Sequence, residues 1–212
     1  MATFDHFSTV HEELITAAPS RVLAAFFEPP ALAAWWLTSR SVTVLQPLGV
    51  YAVEWEPTRF RDDILGPLGG AFHGTVMEHR KDREFFVADA YWLPPEGPPL
   101  GPMALQVTCQ IEGPATRVRV RQSGRGTGAR WERYFDVIGP GWMTSLRSLK
   151  TYIEAGPARA PENARADKKV MARIRDAGPA RAPENARADK KVMARIRRLE
   201  RPADARRARR KS

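Results

Sequence analysis

Every tryptophan, tyrosine and phenylalanine of this 212-residue chain lies before Gly156. Large rings bury about 150–250 Å² each and supply much of the burial that offsets chain entropy, so a core can form only from residues 1 to about 155. Charge divides at the same point. Residues 1–155 carry 15 Lys and Arg against 17 Asp and Glu, whereas the remainder carries 19 against 7, so the net charge of +10 belongs to the C-terminal segment. The expected organisation is one domain over 1–155 followed by a basic extension over 156–212.

The extension is duplicated. The segment EAGPARAPENARADKKVMARIR at 154–175 recurs at 176–197 with Glu154 replaced by Asp176. A 22-residue period with two prolines per copy and no ring side chain does not build a core. ADKKVMARIR is at most a short helix, of a length that is marginal in water. The expectation is an exposed basic tail, disordered or partly helical.

The N-terminus, MATFDHFSTVHEEL, has no basic start followed by an apolar run, so a secretory signal is not expected. No apolar stretch reaches the roughly 18 residues of a membrane span, which leaves a cytoplasmic location as the expectation. The one cysteine, Cys109, excludes an internal disulfide and reads as a buried structural thiol.

Within the first 155 residues the hydrophobic period changes twice. VHEELITA reads as a strand. PSRVLAAFFE, with proline in its first turn, and ALAAWW after Pro29-Pro30 read as two short helices. From Ser41 the period becomes two: SVTVLQP and VYAVEWE form a hairpin around Leu48-Gly49. After the loop TRFRDDILGPLGG come four further strands, AFHGTVMEHR, REFFVADAYWL, MALQVTCQIE and ATRVRVRQS. In the last two, Leu105, Val107, Cys109, Ile111, Val118 and Val120 face one way. Gln106, Thr108, Gln110, Arg117, Arg119 and Arg121 face the other, the pattern of an antiparallel sheet with one wet side. Trp142, Leu146, Leu149 and Ile153 then form the apolar stripe of a closing helix. Gly139-Pro140-Gly141 is expected to break or cap the chain before it.

This order, with the segments ITAAPSRVLAAFFEPPALAAWW, GGAFHGTVMEHRKDREFFVADAYW and GWMTSLRSLKTYIE, resembles the SRPBCC (START-like) superfamily. Within it the chain is most similar to the homologues of the activator of the heat-shock-protein-90 ATPase, over about residues 10–155. The resemblance implies an α+β helix-grip fold: a curved antiparallel sheet of about six or seven strands around a long C-terminal helix, with a cavity between them. It also implies a choice of activities, since that scaffold hosts carriers, cyclases, hydrolases and chaperone activators.

The rings expected to line or roof the cavity are Trp35, Trp36, Phe72, Trp92, Trp131, Tyr134 and Trp142, against the plainer reading that they pack the core. Two polar groups join them as candidates. Asp89 interrupts FFVADAYW, and a carboxylate facing a cavity could exchange protons. Period two also allows Phe86, Ala88, Ala90 and Trp92 to face inward and Asp89 outward. His73, between Phe72 and Gly74, is a candidate base or ligand contact, or simply a surface histidine.

GRGTGAR at 124–130 lacks the Lys-Ser/Thr ending of a phosphate loop and reads as a connection to the final helix. The four histidines have no zinc-binding spacing, and no nucleophile elbow occurs. No catalytic residue, cofactor or metal is expected.

Lys168, Lys169, Lys190, Lys191, Arg206, Arg207, Arg209, Arg210 and Lys211 make the extension a candidate polyanion-binding segment, for nucleic acid or another polyanion. The reading that unites these observations is a module binding a small apolar or amphipathic ligand between sheet and helix. Stimulation of a chaperone ATPase is one alternative, and a cyclase or hydrolase using Asp89 or His73 is another.

Overall fold

The computed structural model describes residues 5–156. The expectations for the basic extension, including its repeat and its nine basic candidates, lie outside the described residues. Strand β1 (Asp5–Ile15) leads to two short helices, α1 (Pro19–Ala24) and α2 (Pro29–Trp35). Strands β2 (Arg40–Thr43), β3 (Gly49–Trp55), β4 (Arg61–Asp62), β5 (Gly66–Pro67), β6 (Gly70–Arg80), β7 (Glu84–Leu93), β8 (Leu100–Glu112) and β9 (Ala115–Gly126) follow, and helix α3 (Ala129–Ala155) closes the chain. Seven strands form one curved antiparallel sheet in the order β1-β9-β8-β7-β6-β3-β2, while β4 and β5 make a separate small ribbon. With α3 held against one face of that sheet, this is a helix-grip fold.

Period two sorts the sheet residues between its faces. Val107 pairs with Val120 and Leu105 with Gln122, so Val118, Val120, Leu105 and Val107 share the face under α3. Arg119, paired with Thr108, and Arg121, paired with Gln106, share the other. The alternation fades at the end of β8: Ile111 is 69% exposed and Cys109 only half-buried, although burial still pushes the Cys109 thiol up to about 12.

The inward set of β7 differs from the expected one. Phe85, Val87, Ala90 and Trp92 are buried there, rather than Phe86, Ala88, Ala90 and Trp92. The cause is a bulge. The register with β8 shifts between Val87 and Ala90, and Asp89 within that interval has φ +49°. An extra residue in one strand restarts the alternation one position later.

Helix α3 also departs from expectation, since it runs without interruption through Gly139-Pro140-Gly141. A proline within a helix costs about 3 kcal/mol, in part because its ring nitrogen donates no hydrogen bond to the carbonyl four residues back. Here Pro140 and Asp136 are both solvent-exposed, so water can satisfy that carbonyl. Gly139 is buried against β1, where a Cβ would lie 3.4 Å from Thr9 Oγ1 and 3.7 Å from His11 Nε2, in ordinary van der Waals contact. At the far end Arg21 Nη2 donates to the Ile153 carbonyl (2.8 Å) and Lys150 Nζ to the Leu14 carbonyl (2.7 Å). Cations suit the negative end of a helix dipole.

The loop expected at 58–70 is tied down by a residue the sequence did not single out. Asp62, 4% exposed, accepts from the backbone N–H groups of Ile64 and Leu65 (3.0 Å each), and from Arg133 Nε (2.8 Å) and Nη2 (2.7 Å) on α3. The Arg133 hydrogen bond, helped by the two backbone donors and opposed by desolvation, holds the Asp62 carboxyl below the usual carboxylate range. A group whose folded pKa lies below its unfolded value of about 3.9 contributes stability above that value and loses it as pH falls through the folded one. The loss of stability on acidification below about pH 4 should therefore be shallower in Asp62→Asn than in the wild type. Urea melts at pH 3, 4 and 6 measure it, and parallel pH profiles for the two proteins would exclude the pair as a contributor.

Candidate ligand site between sheet and helix

The fold gathers the seven aromatic candidates between the concave face of the sheet, α2 and α3. Two clusters of rings result. In the first, Trp36 stacks on Trp35 with centroids 5.0 Å apart and an interplanar angle of 5°, while Trp142 of α3 lies 4.9 Å from Trp36. In the second, Tyr134 of α3 lies 5.3 Å from Trp92 of β7. Phe72, opposite both Val53 and Trp92, is buried on the same face of the sheet. Trp131 lies over the end of β9 and stacks on Phe7 of β1 at 5.9 Å.

Trp131 gives GRGTGAR its role. Gly124 and Gly126 face the indole directly: a Cβ at Gly124 would stand 2.5 Å from Trp131 Cζ3, and one at Gly126 would collide with Cε2 and Nε1. The glycines are a bed for a ring. β9 extends through Gly126 and α3 begins at Ala129, which shortens the expected connecting loop to two residues.

The open cavity expected beneath α3 is replaced by packed side chains. Trp142 Nε1 donates to Gln122 Oε1 (2.7 Å), and Gln122 Nε2 donates to the Tyr134 hydroxyl (2.9 Å), all three groups being buried. Trp35 Nε1 donates to the Ala25 carbonyl and Trp92 Nε1 to that of Gly69. These polar atoms are matched within the protein, as buried hydrogen-bonding groups must be. Burial raises the Tyr134 hydroxyl well above the ordinary phenol range, against the hydrogen bond from Gln122. It is neutral at physiological pH.

Asp89 and His73, the two polar candidates, do not reach this interior. Asp89 is exposed at the bulge, and His73 pairs across the sheet with Ala52 and Tyr91 on the convex face. Asp89 stands outward at the β7 bulge, and His73 is turned outward by the alternation that buries Phe72. Among the described residues no group of three His, Cys, Asp or Glu side chains could hold a metal ion. No described helix is long and apolar enough to cross a membrane.

Trp55, Gln122 and Tyr51 are the interior residues that sequence reasoning did not select. Trp55 meets Trp36 edge-on at 5.0 Å and its Nε1 donates to the Trp36 carbonyl (2.8 Å). The signal for it was present, because Tyr51, Val53 and Trp55 alternate along β3. Trp36 and Trp55 are half-buried, so this three-indole seam reaches the surface where α2, β3 and α3 meet. Two shallow depressions lie instead on the convex face: one of about 220 Å³ lined by Gln106, Thr108, Arg119 and Arg121, and one of about 160 Å³ lined by Phe86, Ala104, Gln106, Arg121 and Ser123.

Sheet order and helix placement thus define a helix-grip domain, and solved structures share it. Mll3558 from Rhizobium loti matches with a TM-score of 0.56 and 14% identity, over 71% of this chain and 99% of that one. A Rhizobium leguminosarum protein matches at 0.55 and 16%, over 73% and 98%. A structure described as the Aha1 dimer from Colwellia psychrerythraea superposes at 0.48 with 16% identity, over 68% and 94%. At these identities the likeness is one of fold, and the last is too loose to argue from. No family model matches the chain, and no curated protein matches it in sequence.

Proposed function

We propose that the folded part is a binding module of the START-like superfamily that takes a small apolar or amphipathic ligand between sheet and helix, entering at the seam of Trp36, Trp55 and Trp142. One observation carries this reading: Trp55 and Trp142 each lie within 5.0 Å of Trp36, and Trp36 and Trp55 are half-buried, so an indole surface is presented where α2, β3 and α3 meet. Rings in such a place offer large apolar area. The placement of Asp89 and His73 away from the interior supports binding over a cyclase or hydrolase.

The test is a fluorescence titration with diphenylhexatriene, an extended apolar probe. Saturable, one-to-one enhancement is expected, accompanied by quenching of tryptophan emission, and Trp36→Ala should weaken it about tenfold or more, the scale of losing a ring at a binding hot spot. Absence of saturable binding, combined with a rise in ATP hydrolysis when the protein is mixed with heat-shock protein 90, would replace this reading with that of a chaperone activator.

For the extension we propose polyanion contact through Lys168, Lys169, Lys190, Lys191, Arg206, Arg207, Arg209, Arg210 and Lys211, with nucleic acid as the first partner to try. Charge density without interleaved rings supports phosphate neutralisation rather than base stacking. Retention on a duplex DNA column should fall steeply with salt and vanish when these nine residues are changed to Gln; unchanged retention would exclude the extension.

A further inference from the structure

The convex face of the sheet carries a cation that the protein does not pair. Along β9, Arg117, Arg119 and Arg121 alternate onto that face and meet two carboxylates between them. Arg117 Nη2 donates to Glu112 (2.8 Å), and Glu12 stands between Arg117 (3.7 Å) and Arg119 (3.6 Å). Arg121 meets neither. Among the described residues its one polar contact is a long hydrogen bond from Nε to Ser8 Oγ, at 3.4 Å.

Arg121 also stands where the two depressions of this face join, since Gln106 and Arg121 line both. Register places it in a row that crosses five strands: Val10, Arg121, Gln106, Phe86 and Glu78. Val10 is 41% exposed and Phe86 half-buried, so a guanidinium without a carboxylate lies between two apolar surfaces, with the neutral Gln106 and Ser123 beside it. Shape and charge decide what such a surface can hold. Sites for small molecules are clefts that cover about 70–90% of the ligand, and hollows of about 220 and 160 Å³ on an open sheet face fall short of that. A partner here must bring its own bulk. Glu12, Glu84 and Glu78 border the hollows, opposite Arg119, Thr108 and Phe86, so a row of phosphates would meet repulsion on three sides. A single carboxylate presented at Arg121 meets less repulsion and forms a two-pronged pair with the guanidinium.

We propose that the convex face docks an acidic segment of another protein, with one carboxylate on Arg121 and an apolar side chain on Phe86. The two anchors stand on β9 and β7, two strand spacings or roughly 10 Å apart. Side chains at alternate positions of an extended segment cover that span, because two residues advance about 7 Å along the backbone. The proposal is independent of the ligand reading above, since it uses the opposite face of the sheet.

The test is a titration of isotope-labelled full-length protein with the capped peptide acetyl-SESLS-amide, followed by proton–nitrogen correlation spectra. The amides of Phe86, Gln106 and Arg121 and the Arg121 Nε–H should shift in a saturable manner. Only these signals are read, which separates the contact from attraction to the basic extension. Replacing the peptide glutamate by glutamine should abolish the shifts, and replacing its leucine by serine should weaken binding. Arg121→Gln changes an exposed side chain, so its spectrum should otherwise match the wild type while it binds the peptide about tenfold more weakly, the loss of a charge-assisted pair. Its retention on the duplex DNA column should equal that of the wild type. Unmoved amides, or equal affinity in Arg121→Gln, would overturn the proposal. So would a loss of DNA retention in that variant, which would assign the face to nucleic acid instead.

Discussion

Trp142→Ala should lower the stability of the helix-grip fold by about 3–5 kcal/mol, the range for truncating a buried tryptophan. Trp142 is 2% exposed, and its ring meets Trp36 of α2 while its N–H donates to Gln122 of β9. Truncation thus opens a cavity at the point where helix, sheet and the short helical connection meet. It also leaves Gln122 Oε1 buried without that donor, a penalty of about 1–3 kcal/mol that overlaps with the first. Urea unfolding followed by far-ultraviolet circular dichroism measures the change. A loss below about 1 kcal/mol would mean that α3 is not held on the sheet as described.

Gly126→Ala should cost about 3 kcal/mol, at the upper end of ordinary overpacking. The added methyl group would occupy the place of the Trp131 indole, and the ring has little room to yield, being 8% exposed and stacked on Phe7. Gly113→Ala is the matching control. Gly113 sits in the β8–β9 turn with φ +58°, and nothing lies within 4 Å of a Cβ there, so its substitution reports backbone strain without a collision. The expected order of urea midpoints is wild type, then Gly113→Ala, then Gly126→Ala. A reversed order would show that the Trp131 ring moves aside freely and that GRGTGAR is not a bed for it.

Much of this architecture is legible in the residues. The alternation along β8 and β9, the tryptophan pair of α2 and the stripe from Trp142 to Ile153 locate the sheet, its wet face and the gripping helix, since each is a local pattern with its own period. The aromatic set that converges inside was legible for the same reason, because a large ring has few stable places other than the interior. Trp55 was overlooked even though it lies in phase with Tyr51 and Val53.

The candidate site was legible only as a list. Phe85 and Val87 take the inward places expected for Phe86 and Ala88 because of one bulge at Asp89, and a bulge depends on the hydrogen-bonding partner as much as on the strand that carries it. Gly139-Pro140-Gly141 reads as a break in isolation. In the fold it is helix, because Pro140 falls on the water side and Gly139 against β1.

The sequence by itself determined where a core can exist, the order of strands and helices, and the side of the sheet that meets water, all consequences of hydrophobic period and composition. Only the tertiary structure decided that the space beneath α3 is closed, that Gln122 joins Trp142 to Tyr134, that Arg121 meets no carboxylate among the described residues, and that Asp89 and His73 face away. Whether a polar atom has a partner, and whether a gap is filled, depends on distances between segments far apart in the chain, and local pattern carries no information about those distances.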